Sequence, residues 1–392
     1  MAEQHGKALV PEIRFSGFTD PWEQRKLGGI ATFGGGHTPS MSDSDNYEGG
    51  NVLWVTSQDV KSHYLDGTTT QITEKGAKEL TLYPAGSLVM VTRSGILRHT
   101  LPVAELRKPS TVNQDIRVIL PQEKYYGQWL LQFFISRNKE LLLEFGKTGT
   151  TVESVDFSKM RDMVLLTPSL PEQQRIGHYF ARLDNLITLH QRKYDKLCVL
   201  KKSMLDKMFP KGGSLYPEIR FSGFTDPWEQ RKLGEVAPLQ RGFDLPVSQM
   251  ISGPYPVVMS NGVGGWHSKY AVKGPGVVTG RSGTIGGLQY IEGDFWPHNT
   301  SLWVTSFNSN EPKFIYWLYS SLNLERFGSG SGVPTLNRND VHDQLIGVPC
   351  NIAEQRRIGA FFDRLDSLIT LHQRKLELLR NIKKSMLDKM FV

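Results

Sequence analysis

This 392-residue sequence predicts an α+β chain in which two similar α/β domains are separated and joined by two long helices. Three features predict it: a segment repeated without change, a long helical pattern repeated with drift, and short β-rich runs between them. The segment PEIRFSGFTDPWEQRKLG stands at 11–28 and again, identical over eighteen residues, at 217–234, an offset of 206. The second repeat starts at Pro171 and at Ala353, an offset of 182, and 27 of its forty aligned positions are identical. Self-similarity of this kind marks duplicated structural units. The order frame, insert, helix, twice over, sets the expected boundaries. These are an N-terminal frame 1–28, a first domain 29–170, a central helix 171–216, a second frame 217–234, a second domain 235–352 and a C-terminal helix 353–392. Uniform drift after duplication would blur every part alike, so near-identical frames beside divergent inserts imply one job done twice by the frames and two different jobs for the inserts.

In the first insert, NVLWVTS, GSLVMVTRSG and DIRVIL alternate apolar and β-branched residues between Gly, Pro and Asn, which reads as short strands. YPVVMSNG and GPGVVTGRSGTIGG do the same in the second. One helix is expected late in each insert, at YYGQWLLQFFISRNKELLLEF and at PKFIYWLYSSLNLERF. Landmarks recur in the same order: Ser57 with Ser260, Arg93-Ser94-Gly95 with Arg281-Ser282-Gly283, and 151–155 with 333–337. Both inserts are therefore expected to share one fold with different surfaces, although the second lacks the GGGHTPS loop of the first.

The repeated helices carry an apolar stripe at spacings of three, four and seven: Phe180, Leu183, Ile187, Tyr194, Leu197, Met204 and Met208, then Phe362, Leu365, Ile369, Leu376, Leu379 and Met386. Each start has a capping-box pattern, Ser169-x-x-Glu172 with Pro171 in the first turn and Asn351-x-x-Glu354. Pro210-Lys-Gly-Gly stops the first helix. Some 30 residues make a rod of roughly 45 Å, and two rods with the same stripe are expected to pack together.

Composition excludes several classes. With 39% hydrophobic and 22% charged residues the chain reads as globular, and no apolar run approaches the ~20 residues of a membrane span. The first residues lack the apolar core of a signal peptide, which predicts a cytoplasmic protein. Cys198 and Cys350 are too few for a disulfide framework or a four-cysteine zinc site, so no structural metal is expected. The net charge of +7 is concentrated: 172–211 holds nine Lys/Arg against four Asp/Glu, and 354–392 holds nine against five, leaving the remainder slightly acidic. Bulk charge alone therefore makes no argument for a polyanion partner.

Catalytic motifs are thin. Gly146-Lys147-Thr148 lacks the earlier glycine of a P-loop, because Leu141 stands there. Phe33 to Gly36 has no acidic ribose partner, and Asp59 and Lys61 have no second acid at a nuclease spacing. His190 and His372 fall on the helix stripe and read as packed histidines. What recurs is the chemistry of base reading: Arg for guanine, Asn and Gln for adenine, Ser and Thr for bases or phosphates. The candidate positions in the first insert are Thr38, Ser40, Ser57, Gln58, Arg93, Ser94, Arg98, His99, Lys147, Thr148 and Thr151. In the second they are Arg241, Ser260, Asn261, Arg281, Ser282, Ser331 and Thr335. Arg93 and Arg281 stand out because Arg-Ser-Gly persists while its surroundings change, although an arginine can also brace a loop against an internal carboxylate.

The duplicated order, with RFSGFTDPWEQRKLG before each insert and EQxRIGxxFxRLDxLITLHQRK opening each helix, resembles the specificity subunit of type I restriction-modification systems. The resemblance covers nearly the whole chain. It implies that the inserts are target recognition domains, each reading half of a split double-stranded DNA site. It further implies an antiparallel coiled coil with pseudo-twofold symmetry, in which Phe180, Leu183, Ile187, Leu197, Phe362, Leu365, Ile369 and Leu379 serve helix packing and partner docking. The implied partners are two DNA methyltransferase subunits and, through the complex, restriction subunits. S-adenosylmethionine, ATP and Mg would sit on those partners, with no cofactor or catalytic residue on this chain. The duplicated frame then provides two equivalent docking surfaces for two identical methyltransferases. A modification or restriction enzyme with fused recognition domains, and a scaffold binding proteins, are the alternatives.

Overall fold

The computed structural model of the chain describes residues 10–149, 152–330 and 333–391. They form two compact units: one is Met1–Leu189 with Lys375–Val392, the other His190–Arg374. The divisions fall inside the two long helices, so each unit contains the start of one helix and the end of the other.

In the first unit the frame strand Glu23–Lys26 pairs antiparallel with Val164–Thr167, the strand leading into the central helix Leu170–Lys207. Strand Ala31–Gly34 then enters a five-stranded sheet beside Ile116–Pro121, followed by Leu88–Val91, Val103–Leu106 and Tyr64–Leu65. A three-stranded sheet has Val52–Val55 at its centre, antiparallel to Gln71–Ile72 and parallel to Thr111–Val112. The core joins Trp129, Phe134 and Phe145 to Phe180 and Leu183 of the central helix and to Leu387, Met390 and Phe391 of the other helix.

The second unit repeats this plan. Its frame strand Glu229–Lys232 pairs with Leu345–Val348, ahead of the C-terminal helix Ile352–Met390. Leu239–Arg241, Ser301–Val304, Gly276–Gly280 and Leu288–Ile291 form a four-stranded sheet. Tyr255–Met259 lies between Gly262–His267 and the parallel strand Trp296–Pro297. Phe314, Trp317 and Tyr319 meet Phe362 and Leu365 and, from the end of the central helix, Met208 and Phe209.

The helices run antiparallel within each unit. In the first, the Phe180 and Phe391 rings lie 6.1 Å apart and Lys383 bonds Asp184 at 2.6 Å. In the second, His190 Nδ1 lies 2.7 Å from His372 Nδ1, and Lys201 meets Asp366 at 2.5 Å. The sequence stripe is the inward face: Phe180, Leu183, Phe362 and Leu365 are buried, and Ile187, Leu197, Ile369 and Leu379 half-buried. The two ion pairs occupy equivalent positions, each lysine and each aspartate being 182 residues from its counterpart.

The structure corrects two expectations. The capping glutamates have another job: Arg14 donates from Nε and Nη2 to the two oxygens of the fully buried Glu172, at 2.6 and 2.8 Å. Arg220 does the same for Glu354 at 2.7 and 2.8 Å. A bidentate pair of this kind clamps the frame onto the start of the helix. Each single late helix is also interrupted. The first divides into Gly127–Ser136 and Asn138–Phe145 because the Asn138 side chain is held by Leu101, accepting from its N–H at 3.0 Å and donating to its carbonyl. The second ends at Ser321, and Asn323 adopts the left-handed conformation before the 3₁₀ turn Leu324–Phe327. Asparagine tolerates that conformation better than most residues.

Candidate nucleic-acid interface

At one edge of the first insert, loops far apart in sequence converge on the turn Asn113-Gln114-Asp115. The N–H of Asn113 donates to the Val55 carbonyl at 3.0 Å, which ties the turn to the end of strand Val52–Val55 just before Ser57 and Gln58. Thr92 N–H donates to the Asp115 carbonyl at 2.8 Å, which brings in Arg93 and Ser94. Ser94 N–H in turn donates to the Glu153 carbonyl at 3.1 Å, drawing in the segment after Lys147 and Thr148. Gly36 permits the remaining approach, since a Cβ there would stand 1.8 Å from the Val112 carbonyl oxygen. Two residues later Thr38 Oγ1 donates to Gln114 Oε1 at 2.7 Å.

The second insert builds the same arrangement around His298-Asn299-Thr300. His298 N–H donates to the Val258 carbonyl at 2.8 Å, next to the hairpin tip of Ser260 and Asn261. The N–H groups of Arg281 and Ser282 both donate to the Thr300 carbonyl, at 2.9 and 3.2 Å. Ser282 also bridges to Thr335. Gly242 stands in for Gly36, because its Cβ would meet the His298 carbonyl oxygen at 2.2 Å.

Charge separates the candidates into two groups. Arg98 donates to Glu153 at 2.5 Å, Lys147 meets Asp156 at 2.8 Å, and Arg241 meets Asp244 at 3.1 Å. Hydrogen bonds from Arg98 and Lys147 hold the Glu153 and Asp156 carboxyls below the usual carboxylate range. Among the described residues, neither Arg93, which is exposed, nor Arg281, which is half-buried, has a carboxylate within ion-pair reach. Of the remaining candidates, Thr148 and Gln58 are exposed at the edge of this surface. Ser40 lies apart, bonded to Ser42 at 2.9 Å, and His99 lines a separate cavity with His63, Lys383 and Lys384. Thr151 and Ser331 fall outside the described residues. No three His, Cys, Asp or Glu side chains gather as a metal site among the described residues, and no helix there is long and apolar enough to cross a membrane.

The model of the type I restriction modification DNA specificity domain matches residues 19–198 and 225–381, one copy for each frame, insert and helix. The chain belongs to this family. The two matched segments of the specificity domain begin 206 residues apart, the spacing of the frames. Among curated members, the EcoR124I/EcoR124II specificity subunit of Escherichia coli is 31% identical over 186 residues, covering 44% of this chain and 46% of that one. The EcoprrI specificity subunit of the same organism is 22% identical, covering 85% and 84%. The first of these alignments thus spans about half of the relative's length. Among solved structures, the S subunit of a type I restriction-modification system from M. genitalium matches with a TM-score of 0.64 at 14% identity, over 98% of this chain and 99% of that one. That likeness supports the fold.

Sequence reading missed the turns 113–115 and 298–300, on which these specificity-domain loops converge. The available signal was chemical: each turn carries a side-chain amide, Gln114 or Asn299, immediately before a strand.

Proposed function

We propose that the chain is the DNA sequence-recognition subunit of a type I restriction-modification complex, each unit reading one half of a split, asymmetric site. The observation that carries this reading is the repeated turn-centred edge: the backbone bonds are matched in the two inserts while the side chains presented from them differ. A shared scaffold with unlike readers is what an asymmetric site requires. Arg93 and Arg281, free of internal carboxylates among the described residues, supply guanine-type donors from the same loop of each insert, one position apart: the strand register sets Arg281 on Thr92 and Ser282 on Arg93.

The chain does no bond chemistry in this reading. Two DNA methyltransferase subunits dock on the repeated helices, and restriction subunits join through them. S-adenosylmethionine, ATP and Mg belong to those partners, and the complex works in the cytoplasm. Support for two equivalent docking surfaces comes from Leu186 and Leu189 on the central helix and their counterparts Leu368 and Leu371, all exposed apolar residues at identical helix positions. Buried Phe180, Leu183, Phe362 and Leu365 serve packing inside the units, so docking falls to the exposed leucines.

The test replaces residues 29–170 with the matching insert of another family member and maps methylated sites in a host expressing the complex. One half of the motif should change and the other stay as it was. A change in both halves, or the loss of any split motif, overturns the reading.

A further inference from the structure

We propose that Gln114 and Asn299 are the adenine-reading residues of the two units, each held in place by one neighbouring side chain, Thr38 or Asp244. The proposal rests on DNA recognition by the inserts as argued above.

The two residues share one structural position. Asn113 and His298, each immediately before the amide residue, donate their N–H to the ends of the equivalent strands at Val55 and Val258. Their side chains close the turn the same way: Asn113 Oδ1 accepts from Asp115 N–H at 3.0 Å, and His298 Nδ1 accepts from Thr300 N–H at 3.4 Å. Ile116 and Ser301 N–H groups close the turns at 3.3 and 2.9 Å, donating to the carbonyls of Asn113 and His298. Asn113, Asp115 and Ile116 are each 185 positions from His298, Thr300 and Ser301, which places Gln114 on Asn299.

Both side chains at that position are carboxamides, the group that pairs with adenine through N6 and N7 in the major groove. Neither is needed to close its turn, which the residues before and after it do. Gln114 is exposed and Asn299 half-buried, and both sit beside the arginine-bearing loops.

The orienting contacts also correspond. Thr38 and Asp244 are 206 residues apart, the frame offset, and each contacts its own carboxamide: Thr38 Oγ1 donates to Gln114 Oε1, whereas Asp244 Oδ1 accepts from Asn299 Nδ2. A carboxylate is an acceptor only, so Asp244 fixes the Asn299 NH₂ towards itself and leaves Oδ1 free to accept from adenine N6. The second amide hydrogen remains available for N7. In the first unit Thr38 takes one lone pair of Oε1, leaving the other lone pair and the whole NH₂ for a base. A pre-oriented amide loses less freedom on binding than a swinging one.

The test measures binding of the full complex with methyltransferase subunits to a library of duplexes, beside thermal melting of each variant. Gln114→Ala should lower discrimination at one A·T position of the first half-site by about 5- to 100-fold and leave the second half-site unchanged. Asn299→Ala should do the reverse. Gln114→Glu keeps the shape and, as a pure acceptor, should move the preference at that position towards cytosine. Asp244→Ala should weaken the same base position as Asn299→Ala. A variant motif identical to wild type overturns the proposal, as does a uniform loss at all positions with a lowered melting temperature. If the wild-type complex itself shows no split motif, the recognition reading fails; an unchanged motif in Gln114→Ala alongside a normal wild-type motif sinks only this inference.

Discussion

Removing the Glu172 carboxylate tests how the frame is attached to the helix. Glu172 is fully buried and gives both oxygens to Arg14, whose side chain is only 14% exposed. Glu172→Ala leaves a mostly buried guanidinium with neither acceptor. Breaking a buried pair from one side costs about 3–5 kcal/mol, and the low end applies because Arg14 keeps an edge in water. For a unit of this size each kcal/mol moves the melting temperature by about 2–4 °C, so the variant should melt roughly 6–12 °C lower by calorimetry. Replacing both partners by methionine removes the stranded charge, and the double variant should recover most of the loss. The equivalent Arg220–Glu354 pair gives an independent repeat in the second unit. A midpoint for Glu172→Ala within about 1 °C of wild type, or a double variant as unstable as the two singles summed, would refute the clamp.

Leu183→Asp places a charge on the inward helix face at a buried position, and should cost more than about 3 kcal/mol; an unchanged melting temperature would mean that this leucine does not face its partner helix. Burial, reinforced by the charge of Lys383, holds the His63 imidazole below its usual pKa against the opposing pull of the Val103 carbonyl and Asp184. The unfolded chain then binds the proton more readily, so stability is full above about pH 6.5 and falls as the pH drops from there. His63→Gln should flatten the fall in melting temperature between about pH 7.5 and 5.5, and an unaltered slope would count against the assignment. A chain ending near residue 216 lacks 375–392, which gives the first unit Leu387, Met390 and Phe391. The identical Leu205, Met208 and Phe209 of a second copy should replace them, so light scattering should find a dimer; a folded monomer would refute this.

The repeats and the apolar stripe were legible because they are carried by identity and by local periodicity. Glu172 was misread because Ser169-x-x-Glu172 is a local pattern, while the arginine that takes the carboxylate lies 158 residues away. The late helix breaks for a similar reason: nothing near Asn138 in sequence announces that its amide will be held by Leu101. Within the reading edge, identity finds the loop but misplaces its register: it pairs Arg93-Ser94-Gly95 with Arg281-Ser282-Gly283, whereas the ladders and bridges set Arg93 on Ser282. The turns at 113–115 and 298–300 share no residue, and their equivalence emerges only from parallel pairing of each preceding strand with a distant one. Composition could not separate Arg93 from Arg98 either, because the distinction rests on Glu153, which is 55 residues from Arg98.

The same exchange of helix ends accounts for where the repeats stayed identical. KKSMLDKMF at 201–209 recurs unchanged at 383–391, while the preceding YDKLCVL and LELLRNI have diverged. Phe391 lies 6.5 Å from Trp22 and 6.1 Å from Phe180 in the first unit; Phe209 lies 6.4 Å from Trp228 and 6.1 Å from Phe362 in the second. Each end therefore fits a socket made of a frame tryptophan and a phenylalanine from the start of the opposite helix. The frames and helix starts that form the sockets repeat the same residues, so a substitution in one end has no compensating partner unless its socket changes too. Close packing makes even a methylene of mismatch costly there. Residues 194–200 and 376–382 match less closely in their surroundings: Leu197 and its counterpart Leu379 each pack against a core, but Leu200 is exposed where Ile382 packs, and Leu376 is buried where Tyr194 is half-buried. Identity is retained where an end of one helix must complete the unit begun by the other.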